Sequence, residues 1–290
     1  MNGYSDTYTL NNGMELPCML FGTYNPGDID SLTLIEQAIA NEYRYFDTAS
    51  FYETERALGE AMKKSGIPRE EFFITSKLWI DERGGQNVKE ALERSLMRIG
   101  TDHIDLYLIH WPHAAKNDEE WNKKNIETWK AMEDLCREGK ICEIGLSNFH
   151  PHHIEGIIKN AEIMPVIDQL ELHPGYMQEY TLTYLREHDI FPQAWSPLGR
   201  ARLLSDPVIL ELARKYKRSS AQICLRYLLQ RGVSVVVKSA SPARMRENQN
   251  VFDFELSFED MSLLSCMAQA GWSGEHPDSN APDIKSNFEQ

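Results

Sequence analysis

Four residues stand out for the chemistry that their types and spacing allow: Asp47, Tyr52, Lys77 and His110. Asp47 closes the run Tyr-Arg-Tyr-Phe, Lys77 follows Phe-Phe-Ile-Thr-Ser, His110 follows Asp-Leu-Tyr-Leu-Ile, and Tyr52 lies just beyond Asp47. A phenol can donate a proton to a carbonyl oxygen, but its ordinary pKa of about 10 makes the anion scarce near neutrality unless a cation stabilises it. Lys77 fits the part of that cation, and Asp47 that of the counter-ion holding its charge against desolvation. His110 has the size and polarity to orient the oxygen being protonated. Singly, each has a plain structural reading: a buried Lys–Asp pair, a packing tyrosine, a satisfied core histidine. Together, at the ends of successive apolar runs, they point to proton transfer at a polar double bond.

Apolar runs of strand length recur at 19–21, 43–46, 72–76, 104–109, 143–146, 166–170, 191–194 and 233–237, which makes about eight strands. Between them, residues 32–40, 55–64, 88–97, 126–137, 179–187 and 221–229 place apolar side chains at i, i+3 and i+4, the stripe of an amphipathic helix. Strict alternation of strand and helix predicts an α/β chain with a parallel sheet. A doubly wound sheet would alternate in the same way, but its early glycine-rich turn is missing, since Phe21-Gly22-Thr23-Tyr24-Asn25-Pro26-Gly27 is not GxGxxG. About eight units favour closure into a (β/α)8 TIM barrel, whose site lies at the strands' C-terminal ends.

Ahead of the barrel, residues 7–10, Asn11-Asn12-Gly13 and residues 14–16 read as a β-hairpin cap, the Asn-Gly pair supplying the positive φ of a tight turn. The last stretch, 271–290, is rich in Pro, Asp, Ser and Asn and reads as a C-terminal loop able to cover a site. No linker or low-complexity tract divides the chain, so residues 1–290 are expected to form one domain, a size one barrel accommodates.

With 42% hydrophobic and 26% charged residues, the composition is that of a globular protein. A net charge of −14 opposes nucleic-acid backbones and anionic lipid, so neither is expected as a partner, and any anionic ligand needs a local basic pocket. Five cysteines without CxxC spacing suggest reduced thiols, and no leader or membrane span is evident, which together predict a cytoplasmic protein. A monomer or weak homodimer is expected.

The stretch from Glu42 through Asp47 and Tyr52 to Gly59 resembles the first signature of the aldo-keto reductase family, in the prokaryotic type similar to diketogluconate and glyoxal reductases. Glu42 stands where the family usually has Gly. Further matches are Ser76-Lys77-Leu78-Trp79, Leu108-Ile109-His110-Trp111-Pro112, Gly145-Leu146-Ser147-Asn148-Phe149, and Gln169 with Glu171-Leu172-His173-Pro174. The resemblance implies Tyr52 as the acid, assisted by Asp47, Lys77 and His110, and Ser147, Asn148 and Gln169 as partners of a nicotinamide carboxamide. An amide there needs both donors and acceptors.

The same likeness places Gly22 and Thr23 beside the cofactor, Trp195 against the nicotinamide face, and Ser196 and Leu198 near the pyrophosphate. Many relatives have Tyr where Trp195 stands; a larger π face suits stacking equally well. Residues Lys238, Ser239, Arg244, Glu247 and Asn248 resemble the family's adenosine 2′-phosphate site, although Val237 replaces the usual Pro. Two cations near one phosphate favour NADPH/NADP over NADH. Tyr24, Trp79 and Trp111 match substrate-cavity positions and suit an apolar or flat small-molecule carbonyl substrate, and the tail carrying Trp272 would close that cavity.

No metal is expected. His150, His152 and His153 surround Pro151 at a helix entry, and no cysteine or carboxylate cluster near them completes a ligand set. The reading is an NADP-dependent oxidoreductase that reduces aldehydes or ketones to alcohols. Two alternatives differ in class: a nucleotide-binding regulatory or sensory subunit with little turnover, against which the full tetrad argues, and a metal-dependent barrel hydrolase, which would require sensitivity to chelators.

Overall fold

The computed structural model describes residues 1, 3–25, 27, 29–113 and 119–278. A two-stranded antiparallel hairpin opens the chain, β1 (Thr7–Thr9) paired with β2 (Glu15–Pro17) in the register Tyr8 to Leu16. At its turn only Gly13 has positive φ, at 87°, while the Asn12 side chain accepts the Met14 amide at 3.0 Å. The expected Asn-Gly turn, with both residues at positive φ, is thus replaced by an Asn side-chain turn with one left-handed glycine.

Eight parallel strands then close into a barrel: β3 (Met19–Gly22), β4 (Tyr45–Asp47), β5 (Phe73–Leu78), β6 (Ile104–Ile109), β7 (Ile141–Ser147), β8 (Ile167–Glu171), β9 (Phe191–Trp195) and β10 (Ser234–Val237). Neighbours follow chain order, with β10 pairing β3. The expected α/β barrel, hairpin cap and approximate strand positions all appear. Strands such as β6 and β10 read as nearly unbroken apolar runs because both faces are covered, one by barrel interior and one by helices.

The helices are α1 (Ser31–Ala40), α2 (Glu55–Ser65), α3 (Gly85–Ile99), α4 (Trp121–Arg137), α5 (Pro151–Ile158), α6 (Glu179–Glu187), α7 (Pro207–Tyr216), α8 (Ser220–Gln230), α9 (Pro242–Gln249) and α10 (Phe258–Ser265). Helix α3 buries Val88, Ala91, Leu92, Ser95, Leu96 and Ile99, the predicted i, i+3, i+4 stripe, and ends at Gly100 in the left-handed conformation. No helix of the described residues is long and apolar enough to cross a membrane. All five cysteines are free thiols.

By internal contacts the chain forms two compact units, residues 1–21 with 169–273, and residues 22–168 with 274–290. In the second, α2 and α3 approach so closely at Gly59 that a Cβ there would lie 2.0 Å from the Ile99 carbonyl oxygen. In the first, the tail begins as irregular chain: Ser273 gives its backbone N–H and its hydroxyl to the Glu171 carboxylate at 2.9 and 2.7 Å, and Trp272 stacks on Tyr176. Residues 279–290, most of the stretch expected to be a loop, lie outside the described residues.

Candidate active site

The four predicted residues meet within the unit of residues 22–168. Asp47 is the last residue of β4, Lys77 the next-to-last of β5, and His110 the first after β6. Parallel pairing sets Asp47 opposite Thr75 and Lys77 opposite Leu108, so Lys77 and His110 each lie two residues beyond the partner of the preceding site residue, on neighbouring strands. Tyr52 ends a short 3-10 turn, Ser50–Tyr52, which brings its phenol back over the strand ends.

Lys77 is completely buried. An ammonium has three N–H donors, and Nζ has three acceptors: Asp47 Oδ1 at 2.5 Å, the Thr48 carbonyl at 3.1 Å and the Tyr52 hydroxyl at 3.4 Å. Burial pushes the lysine pKa below its ordinary value, and the Asp47 carboxylate opposes that shift. The Tyr52 hydroxyl also lies 3.3 Å from His110 Nε2. His110 is held well below the usual imidazole range, first by burial and then by the Lys77 charge, so it is neutral at neutral pH. A phenol between an ammonium and a neutral imidazole is poised to give up a proton: the cation stabilises the developing phenolate.

Supports that the sequence reading did not single out complete this arrangement. The Thr48 carbonyl is a partner of Lys77, and Thr54 ties Thr48 to Thr23 through hydroxyl contacts of 3.0 and 2.8 Å. Glu55, buried at the start of α2, accepts from Ser76 at 2.7 Å and pairs with Arg98 at 3.0 Å. Phe51 stacks on Trp79 with centroids 3.9 Å apart, and Trp79 meets His110 edge-on at 5.0 Å. Adjacency to Tyr52 is the one sequence signal that points to Phe51.

Of the predicted substrate residues, Tyr24 is partly exposed with its ring 5.0 Å from that of Tyr52, while Trp79 and Trp111 are buried. The rings that meet Tyr52 are those of Tyr24, Phe51 and His110. Gly22 ends β3, and the Thr23 N–H donates to the Asp47 carbonyl at 2.9 Å. Ser147 ends β7, and Asn148 follows in the left-handed conformation, its amide donating to the His110 carbonyl at 2.9 Å and to Ser147 Oγ at 3.1 Å. The Phe149 amide N–H approaches Asp168 Oδ1 at 3.4 Å. Asp168 is fully buried, its other oxygen has no partner among the described residues, and burial raises its pKa well above the carboxylate range.

In the unit of residues 1–21 and 169–273, the Gln169 amide donates to Gln193 at 2.7 Å, Gln193 to Ser234 at 3.1 Å, and Ser234 to the Pro17 carbonyl at 2.8 Å. Trp195 ends β9 and has the Arg200 guanidinium 5.8 Å from its ring centroid; Ser196 has positive φ, and Leu198 precedes a 3-10 turn. Lys238 leaves β10 half-buried, with its pKa lowered first by burial and then by the charge of Arg244. Neither cation forms an ion pair among the described residues. The buried Ser239 hydroxyl accepts the Ser241 amide at 3.1 Å, just ahead of α9. On that helix the Glu247 carboxylate accepts from Ser219 at 2.5 Å, and Asn248 is buried. An open cleft in the same unit, lined by Leu10, Asn11, Arg186, Asp189, Phe191 and Arg231, lies at the entrances of β9 and β10 rather than their exits and has no part in this chemistry.

The chain belongs to the Aldo/keto reductase family, whose model matches residues 19–267. It is similar to the glyoxal reductase of Bacillus subtilis, 41% identical over 274 residues that cover 94% of this chain and 96% of that protein. It is also similar to the methylglyoxal reductase DkgA of Escherichia coli O157:H7, 37% identical over 271 residues that cover 93% and 96%. Among solved structures, MGS-M4, an aldo-keto reductase enzyme from a Medee basin deep-sea metagenome library, superposes with a TM-score of 0.88 at 34% identity, over 95% of this chain and 100% of that one. Membership makes this chain an oxidoreductase and accords with the family likeness read from its motifs.

Proposed function

We propose that the protein reduces aldehydes or ketones to alcohols with NADPH, and that Tyr52 is the proton donor. The observation that carries the reading is the phenol held between a buried ammonium at 3.4 Å and a neutral imidazole at 3.3 Å. When bound, the nicotinamide supplies hydride to the carbonyl carbon. Tyr52 gives its proton to the oxygen, and Lys77, kept charged by Asp47, stabilises the phenolate left behind. His110, neutral, orients the oxygen by hydrogen bonding and takes no net proton. Tyr24, Trp79 and Trp111 keep water from this oxygen and present flat apolar faces to the substrate.

Support for the dinucleotide comes from the character of the predicted partners. Lys238 and Arg244 are two neighbouring cations that form no ion pair among the described residues, beside a hydroxyl and the start of a helix, in a chain of net charge −14. Such a pair fits a phosphate monoester, the group that distinguishes NADPH from NADH. Ser147, Asn148 and Gln169 would hold the carboxamide, and Trp195 the ring. Gly22, Thr23, Ser196, Leu198, Ser239, Glu247 and Asn248 would complete the cofactor contacts.

The test is a carbonyl panel that includes glyoxal and methylglyoxal, followed by NADPH absorbance with NADH in parallel, on the parent and on Tyr52→Phe and Lys238→Ala. Tyr52→Phe should lower kcat by at least about a hundredfold. Lys238→Ala should raise KM for NADPH while leaving NADH nearly unchanged. Full turnover by a folded Tyr52→Phe protein would remove the role given to the phenol. NADPH binding without oxidation across the panel would favour the regulatory reading instead.

A further inference from the structure

Of nine histidines in the chain, five gather around one carboxylate. In the sequence only His150, His152 and His153 lie together, with no acid directly beside them. The structure supplies Asp278, together with His276 from the same C-terminal segment and His113 from the stretch after β6. All six belong to the unit of residues 22–168 and 274–290.

The geometry divides the carboxylate's two oxygens between two kinds of neighbour. His150 is the N-cap of α5, and its backbone N–H donates to His153 Nδ1 at 3.0 Å. His153 therefore carries its proton on Nε2, which lies 2.8 Å from Asp278 Oδ1. His152 Nε2 is 2.9 Å from the same oxygen. The other oxygen, Oδ2, faces His276 Nδ1 at 3.7 Å and His150 Nδ1 at 3.9 Å, too far for hydrogen bonds, and that His276 nitrogen accepts the Asp278 backbone N–H at 3.2 Å, a contact that a bound ion would replace without moving the ring proton. One ligand atom from each of His150, His276 and Asp278 lies within 4.8 Å of the other two.

We infer that His150, His276 and Asp278 form a site for one divalent transition-metal ion of the zinc class, with His152 and His153 orienting the carboxylate. Nitrogen and oxygen ligands about 2.0–2.2 Å from a tetrahedral zinc ion stand roughly 3.3–3.5 Å apart, so the two carboxylate–imidazole separations need shorten by only a few tenths of an ångström, while the two imidazole nitrogens start within 4.8 Å of each other. Two imidazoles and a carboxylate, with a fourth position for water, are a donor set of the zinc kind. The N–H groups on Oδ1 fix the carboxylate from outside the coordination sphere, as supporting partners do in metal sites. The alternative triad of His113, His153 and Asp278 also lies within 4.8 Å, but it would require His153 to give up the proton that its Nδ1 contact places on Nε2.

A bound ion would tie the segment of residues 276 and 278 to the entrance of α5, two residues beyond Asn148.

The test is equilibrium dialysis of the full chain against zinc chloride, with cobalt(II) absorption as an independent readout of tetrahedral coordination. The expected result is one ion per chain, with His276→Ala and Asp278→Asn each weakening binding by at least about tenfold. His276 and Asp278 are partly exposed, so both variants should fold, which far-ultraviolet circular dichroism in chelator checks. His103→Ala, in the separate group of His103, Asp105 and Cys142, should change nothing. Well under one ion per chain, unchanged binding in both site variants, or loss of the ion in His103→Ala would each overturn the inference.

Discussion

Changing Asp47 to Asn should expose the energetic logic of the buried pair. The exchange keeps size and shape but leaves Lys77, wholly buried, with only the Thr48 carbonyl, the Tyr52 hydroxyl and an amide oxygen as partners. Removing one member of a buried ion pair costs about 3–5 kcal/mol. Lys77 can limit that cost by losing its proton, because burial already pushes its pKa down and Asp47 opposes the push. The loss at neutral pH should therefore fall near the lower figure, about 3 kcal/mol. Its pH dependence has a definite sign. The unfolded lysine keeps its proton up to about 10.5, whereas the folded variant releases it lower, so between those values the unfolded state binds more protons and stability rises with pH, by up to about 1.4 kcal/mol per unit. Urea midpoints of Asp47→Asn, Lys77→Met and the double variant from pH 6 to 9 measure this. The double variant has no charge to bury and should recover most of the stability with a flat pH profile, while all three proteins lose carbonyl reduction by about a hundredfold or more. A double variant as unstable at pH 7 as Asp47→Asn would refute the reasoning, since charge compensation would then not be what the carboxylate provides.

Three further outcomes follow from groups described above. His110 stays neutral in the fold while the unfolded imidazole protonates near pH 6.5, so its contribution to stability is present above that value and lost as pH falls; His110→Asn should flatten the acid limb of urea stability by up to about 1.4 kcal/mol per pH unit, and an unchanged slope would count against the assigned shift. Asp168 has the opposite sign, because an acid whose folded pKa is raised loses stability as pH climbs above about 3.8; Asp168→Asn should stabilise the protein more at pH 8 than at pH 5, and equal gains at both would sink this account. Gly59→Ala drives a methyl into the Ile99 carbonyl and should cost at least about 2 kcal/mol, seen as a lowered Tm; a neutral result would mean that α2 and α3 separate freely.

Much of this site is legible in the sequence because a parallel barrel presents the residues that end its strands. Asp47, Lys77 and His110 fall within one residue of the observed ends of β4, β5 and β6, and the apolar runs before them are the strands themselves. Helices with a clear apolar stripe, such as α3, are equally readable. Helix α9 buries only Met245 and Asn248, so it carries no stripe to find. The supports escaped for a different reason. Thr48 acts through its carbonyl, which residue type does not reveal, and Phe51 next to Tyr52 reads as ordinary packing. The histidine cluster was invisible because its carboxylate comes from position 278, far along the chain from residues 150–153, and spacing carries no information about that approach.

The tetrad and its nearest supports come from one uninterrupted stretch, residues 47–110, whereas Lys238 and Arg244 belong to the other compact unit. A recombinant gene joined after codon 168 to the later part of a relative's gene would thus inherit the tetrad intact and take its cationic pair from the second parent. On the function proposed above, proton handling and the choice of nucleotide would be heritable apart, at a single junction.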